Sequence, residues 1–364
     1  MTIQDVIDCL QDLAPLNYAE DFDNVGLLVG DNNKNVTGIL VTLDTIEAVI
    51  DEAIENSCNL IVSFHPIIFK GLKKLTGKTY VERVAIKAIQ NDIAIFSIHT
   101  ALDNAYMGVN AIICDKLNLK NKKILLPQPG VIKKLQTYVP KEHAIALRTA
   151  LFDAGAGSLG NYESCSFNVE GKGTYMGNQN SNPSHGQKGQ LHTENEIAVS
   201  VVFKKHLQSK VLKALFETHP YEEVAYEIMV LDNTDAYTGM GMIGELNDPM
   251  DEKECLNWIK STFNSGCIKH SKLRSKPIKK IAVLGGSGSF AIDAAKTNGA
   301  DLFVTADLKY HDFFTAENDI VLADIGHSES EQFTKSFLVD YLSKKITSFA
   351  IILSKTNTNP VKYL

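Results

Sequence analysis

The stretch Ile39–Pro66, ILVTLDTIEAVIDEAIENSCNLIVSFHP, decides the fold class. Ile39–Leu43 is a short apolar run. Ile46, Val49, Ile50, Ala53 and Ile54 then recur at helical spacing, and Leu60–Ser63 is a second apolar run. Near-continuous apolar strands read as buried on both faces, and strand, helix, strand in this order predicts a parallel crossover. The order continues downstream. Val81–Ile89 puts Val84, Ala85, Ala88 and Ile89 on one helical face, and Ile93–Ile98 is a third strand. Far along the chain, Ile281–His311 (IAVLGGSGSFAIDAAKTNGADLFVTADLKYH) repeats the sequence of strand, turn, helix and strand, and it too reaches a histidine.

Between these blocks the pattern changes. Leu125–Gly130 (LLPQPG) carries two prolines and a glycine and marks a boundary, and the glycines at 239–244 mark another. Inside, a strand at Lys134–Val139, a helix at Glu142–Ala154 and a strand at Tyr162–Val169 are followed by a polar loop, 175–194. The same order then recurs as strand Glu196–Phe203, helix Leu207–Thr218 and strand Ala225–Leu231. A duplicated βαβ of this length predicts a ferredoxin-like α+β domain, with the polar loop mobile or ordered by a partner. The expected organisation is an α/β domain with a mostly parallel sheet, built discontinuously from residues 1–126 and 246–364, with the ferredoxin-like domain inserted at 127–245.

Composition agrees with a folded globular protein of 364 residues, 44% hydrophobic and 22% charged. With 36 basic against 43 acidic residues the net charge is −7, which argues against a broad nucleic-acid surface. The six basic residues of Lys269–Lys280 read as a solvated connector. No apolar run approaches the length of a membrane span, and the amphipathic start MTIQDVIDCLQDL lacks the marks of a signal peptide. Six scattered cysteines without C-x-x-C read as reduced and buried, and a cytoplasmic location is expected.

Ligands of open parallel sheets collect beyond the carboxyl ends of strands. Phe64, His65 and Pro66 follow the second strand, and HTALDN, with His99 and Asp103, follows the third. Asp307 and His311 follow Leu302–Thr305, and His327 and Glu331 follow Ile320–Asp324. Spaced i, i+4, His327 and Glu331 share one helical face and suit a borderline divalent metal. Ser328 and Glu331 equally fit a capping box, His65 fits a turn histidine, and Asp103 fits a carboxylate at a helix start. Asp307 and His311 fit either an acid/base pair, a support for a metal ligand, or loop surface. Gly285–Ser289 (GGSGS) reads as a tight turn more than a nucleotide fingerprint. Lys70, Lys73 and Lys74 fit an anion-receiving loop or plain surface.

EDFDNVGLLVG, SFHPIIF, SIHTALDN, VLGGSGS, TADLKYHD, DIGHSESE and the terminal TNTNPVKYL resemble, in order, the motifs of the GTP cyclohydrolase I type 2 homologue family of dinuclear-metal α/β proteins. THPYEEVAYEI resembles the P-II/CutA-like insertion of its longer bacterial members. The resemblance implies up to two divalent ions (Zn, Fe or Mn) on His65, Asp103, His327 and Glu331. His311 is then the expected proton shuttle, oriented by Asp307. Phe64 stands where the family carries the first histidine of its His-His-Pro, which removes one ligand; water or His99 could fill the place. A ring-shaped homo-oligomer, often a hexamer, is implied too. The expected activity is metal-dependent hydrolysis of a small phosphorylated or nucleotide-like substrate. The alternative is a non-catalytic regulator or scaffold whose inserted domain senses a small molecule.

Overall fold

The computed structural model describes residues 1–364. The chain divides into two compact units, one made of Met1–Pro127 with Ala236–Leu364 and the other of Gln128–Asp235.

The first unit contains two sheets where the sequence suggested one. In the first sheet, strands Gly26–Val29, Ala94–Ser97, Leu60–Ser63, Ile39–Thr42 and Ile351–Leu353 lie side by side in that order. All neighbours are parallel except the Gly26–Val29 edge, which pairs antiparallel with Ala94–Ser97. The second sheet runs Lys269–His270, Val321–Asp324, Leu302–Ala306, Ile278–Ser287, Gly239–Met250 and Lys120–Pro127. Only its middle is parallel: Ile278–Ser287 with Leu302–Ala306, and Leu302–Ala306 with Val321–Asp324. The glycines at 239–244 therefore lie inside a strand, whose antiparallel partners are Lys120–Pro127 and Ile278–Ser287.

Burial on both faces accounts for the continuous apolar strands. Alternate residues of both sheets (Val41, Leu60, Val62 and Phe96; Val283, Val304 and Ala323) enter one shared core, together with the helices Ile3–Leu13, Val109–Lys116, Glu252–Thr262 and Thr334–Lys345. The residues between them face outward and are covered separately. Leu40, Ile61 and Ile95 pack against helices Glu47–Glu55 and Tyr80–Gln90, and Ala282, Phe303 and Leu322 against Ile292–Thr297. Beyond Val321–Asp324 the chain forms a single helical turn, His327–Glu331, and then a longer helix, Thr334–Lys345. No disulfide forms. Cys58, Cys114 and Cys255 are buried as expected, whereas Cys267 is exposed.

The second unit follows β-α-β-β-α-β order, with strands Ile132–Pro140, Phe167–Tyr175, His192–Lys204 and Tyr226–Leu231. They form one antiparallel sheet in the order second, third, first, fourth. Helices Ala144–Asp153 and Gln208–Thr218 cover one face through Leu147, Leu151, Val211 and Leu215. The second strand lies later than Tyr162–Val169. Leu159 and Tyr162 form an isolated bridge and Ser164 takes positive φ, so the chain turns before the strand begins. Phe167–Tyr175 then pairs residue for residue with Ser200–His192, which makes a hairpin closed by residues 176–191.

Candidate metal centre

Two parallel strand pairs deliver the site. From the first sheet, Asp44 follows Ile39–Thr42 and His65 follows its neighbour Leu60–Ser63; from the second, Asp307 follows Leu302–Ala306 and His327 follows its neighbour Val321–Asp324. In each pair the carboxylate grips the histidine. His65 Nδ1 lies 2.8 Å from Asp44 Oδ1, and His327 Nδ1 lies 2.7 Å from Asp307 Oδ2. His99 is held likewise, its Nδ1 2.9 Å from the buried carboxylate of Asp23. Asp23 also accepts from the backbone N–H and the hydroxyl of Thr100, fixing the start of the His99–Asp103 turn.

An ionised carboxylate only accepts hydrogen bonds, so each gripped Nδ1 carries the proton and Nε2 is left to face the site. His65 Nε2 and His327 Nε2 lie 3.4 Å apart, and each is 3.2 Å from Glu331 Oε2. Despite that closeness Glu331 Oε2 is buried with no hydrogen-bond partner. His65, His327 and Glu331 thus form a group that could hold a metal ion. Asp103 Oδ1 is a second buried oxygen without a partner. It sits at the end of its short helix, not at the start, where the helix dipole gives a carboxylate no support. Burial, and then the charge of Glu331, push its pKa well above the ordinary carboxyl value, with His65 and His327 opposing.

The other pKa shifts describe the same negative field. Burial alone would lower both histidines, but Asp44 and Glu331 raise His65 to about 10, and Asp307 and Glu331 raise His327 to about 11. Burial would raise Glu331, yet the two imidazoles bring it down to about 2. Asp307 also falls to about 2, chiefly through its bond to His327. Proton and divalent cation compete for these atoms.

Backbone glycine makes room for the carboxylate. Gly286 has φ +70°, and a Cβ there would stand 2.4 Å from Glu331 Oε1. Its N–H donates to Ser330 Oγ, so the GGSGS turn serves the His327–Glu331 helix. The capping box does not form: the N-cap is Gly326, without a side-chain cap, and Ser330 Oγ donates to the His327 carbonyl.

The expected pairing of Asp307 with His311 is not what the structure holds. Asp307 is engaged by His327 and by the Ser287 hydroxyl. His311 is exposed on the Tyr310–Ala316 turn, its ring against Tyr310 and Phe314. The chain turns away because Asp307 itself adopts positive φ immediately after its strand. Phe64 is fully buried in the core, its ring 4.9 Å from that of His65 and 5.5 Å from that of His99.

Sequence patterns alone do not single out Asp44 and Asp23, although Asp44 obeys the same strand-end rule that finds His65. Nor do they bring the C-terminal segment to the site. Thr358 Oγ1 donates to Asp44 Oδ2 at 2.6 Å, and Asn359 and Tyr363 join Asp44, His65, His99 and His327 around a cavity of about 640 Å³. Lys70, Lys73 and Lys74 do not line it.

Residues 1–360 match the family described as Duf34/NIF3 (NGG1p interacting factor 3). The chain belongs to the Duf34/NIF3 family. It is 35% identical to the GTP cyclohydrolase 1 type 2 homolog of Bacillus subtilis (strain 168), covering 99% of this chain and 98% of that one. A homolog of the same name from Staphylococcus epidermidis is 34% identical across the whole of both chains. Among solved structures, a Bacillus cereus protein related to NIF3 superposes with a TM-score of 0.84 at 34% identity, covering 100% of this chain and 99% of that one. Staphylococcus aureus protein SA1388 gives 0.78 at 32%, with the same coverage. No helix of this Duf34/NIF3 chain is long and apolar enough to cross a membrane.

Proposed function

We propose that this Duf34/NIF3 protein holds a divalent metal and works as a metal-dependent hydrolase on a small phosphorylated or nucleotide-like substrate. One observation carries the reading: Glu331 Oε2, buried and without a hydrogen-bond partner, faces two imidazole Nε2 atoms whose Nδ1 sides are already committed. Clustered lone pairs out of water need positive charge among them, either as protons on the imidazoles or as a divalent cation that displaces those protons. Two imidazoles and a carboxylate suit Zn, Fe or Mn. His65, His327 and Glu331 would hold the first ion, and Asp103 would share it or hold a second. Phe64 leaves that second place short of a protein ligand, with His99 beside it. A bound ion of this kind supplies Lewis acidity and lowers the pKa of coordinated water.

The chain's residues do the rest. Asp44 and Asp307 keep the Nδ1 protons in place and so hold both Nε2 atoms toward the ion. The cavity, walled on one side by Asn359 and Tyr363, receives the substrate. The name borne by the curated relatives, GTP cyclohydrolase 1 type 2 homolog, makes hydrolytic opening of a guanine nucleotide a candidate reaction. The reading includes a cytoplasmic ring, a hexamer in the fullest version, and a P-II/CutA-like inserted unit. The β-α-β-β-α-β order of residues 132–231 supports the last of these.

Metal content per chain, with anomalous scattering to locate each ion, tests the centre. Turnover of a nucleotide panel with added Zn, Mn or Fe tests the chemistry. An ion at His65, His327 and Glu331, and turnover abolished by His327→Ala, are expected. The hydrolase reading fails if no substrate is turned over with any metal, or if His327→Ala keeps full activity.

A further inference from the structure

The second unit holds a cavity unconnected with the metal reading. Its two helices cover one face of the antiparallel sheet, which leaves the other face bare. The segment after Phe167–Tyr175 folds back over that bare face, and Met176, Ser181 and Pro183 line the space beneath it, about 650 Å³. The polar loop is held by its own contacts. Asn182 N–H donates to Glu222 at 2.6 Å, Gly189 N–H to the Gly177 carbonyl at 2.8 Å, and Tyr175 Oη to the His185 carbonyl at 3.0 Å.

The floor comes from the strands. Val169, Ala198 and Tyr138 lie across from one another in register, as do Gly171 and Glu196. Both Gly171 and Gly173 matter here. A Cβ on Gly171 would meet nothing within 4 Å, so the missing side chain is open space. A Cβ on Gly173 would stand 2.0 Å from Glu196 Oε2, so this glycine is what lets the carboxylate lie over the floor. Tyr221 Oη donates to Glu196 Oε1 at 2.8 Å and aims it. Oε2 is left for something else. Tyr175 and Tyr221 meet edge to face at 5.9 Å on the same wall.

We propose that this cavity binds a small organic cation, an amine on an apolar or aromatic body, with its ammonium on Glu196 and its body against Tyr138, Val169 and Ala198. Its volume suits a small ligand, and its lining is mainly apolar with a few placed polar groups. Charge complementarity selects the sign. Glu170, Glu196, Glu222 and Glu223 line the cavity against one lysine, Lys172, and Glu170 is already paired with Lys141. Tyrosine faces add attraction for a cation. A metal ion would find few free ligands, since Glu170 is paired with Lys141 and Glu222 Oε1 accepts from the Asn182 N–H.

The test is titration of the full-length chain with phenethylamine, against phenethyl alcohol as neutral isostere and hydrocinnamate as anionic one. Calorimetry would follow affinity, and methyl shifts of Ala198 and Ala225 the location. Phenethylamine should bind saturably, about tenfold or more tighter than the alcohol, with hydrocinnamate weakest. Glu196→Gln keeps shape and an acceptor for Tyr221, and should bring the amine-to-alcohol ratio to about one. Gly173→Val should weaken both. Equal binding of amine and alcohol, an unchanged ratio in Glu196→Gln, or no saturable binding would overturn the proposal. So would amine affinity that weakens as chain concentration rises, since a second copy would then be the occupant.

Discussion

The two halves of the metal centre are built alike and contribute unequally. In the first sheet Asp44 holds His65; in the second Asp307 holds His327; each pair sits on adjacent parallel strands. The first half adds Phe64, a core side chain, where the second adds Glu331, a carboxylate that could hold a metal ion. Neither half alone presents the three converging atoms. An ion on them would staple two sheets whose strands are separated in sequence by the whole inserted unit. The likeness explains how strand ends bring these side chains together, and on the proposed reading the difference puts the greater share of metal binding on the second half.

Removing that contribution should have the largest effect. Glu331→Gln replaces the buried carboxylate by a neutral amide between two imidazoles, and should lower metal affinity by about two orders of magnitude or more, as read by chelator competition. His65→Ala should do the same while leaving the second half assembled. If Glu331→Gln binds metal as the parent does, the second half carries no greater share than the first.

Gly286→Val comes next. Its backbone would be strained at positive φ, and its Cβ would meet Glu331 Oε1. A loss of about 2–3 kcal/mol in unfolding free energy is expected from denaturant titration, together with weakened metal binding. A stable variant with intact metal affinity would show that the glycine turn does not serve the carboxylate.

Asp44→Asn and Asp307→Asn probe the likeness. Each should cost about 10- to 100-fold in metal affinity, and the two costs should agree within a few-fold. A pH series sharpens this. His65 and His327 are raised from the ordinary value of 6.5 to about 10 and about 11. Their contribution to metal-free stability is therefore complete below about pH 6.5 and is lost as pH rises through about 10 to 11. Melting temperature without metal should fall over that window, and added metal should flatten the fall.

Much of this centre is legible in the sequence because parallel sheets send their strand ends to one rim. His65, Asp103, His327 and Glu331 can all be named from the residues just beyond each apolar run. Which neighbour each group chooses cannot be read that way. Asp307 is four residues from His311 and 20 from His327, yet it bonds to His327. A positive φ at one residue, invisible in composition, redirects the chain. The division of the first unit into two sheets is likewise hidden, because strands of separate sheets with both faces covered carry the same apolar signature. The strand at Phe167–Tyr175 escapes the pattern because two of its residues are glycines, which weaken the strand signal.

The smallest expected effect tests the end of the chain. Glu52 accepts from Ser354, from the Lys355 N–H and from Thr356, and so ties down the last segment before it reaches the site. Thr358 Oγ1 then donates to Asp44 Oδ2, the oxygen not used by His65. Losing that bond leaves Asp44 free to rotate, and the orientation of His65 loosens without any ligand being removed. Thr358→Val keeps the shape and deletes the donor, and should weaken metal binding about 2- to 5-fold, a fraction of what a hydrogen bond to a charged group can contribute. Thr358→Ser should restore it. The second half has its own counterpart, the Ser287 hydroxyl on Asp307, so Ser287→Ala should give a similar small loss. Equal losses from the two hydroxyls would extend the likeness of the halves one step beyond the carboxylates. A loss confined to Thr358→Val would mean that the first half, short of a ligand at Phe64, depends more on how His65 is held.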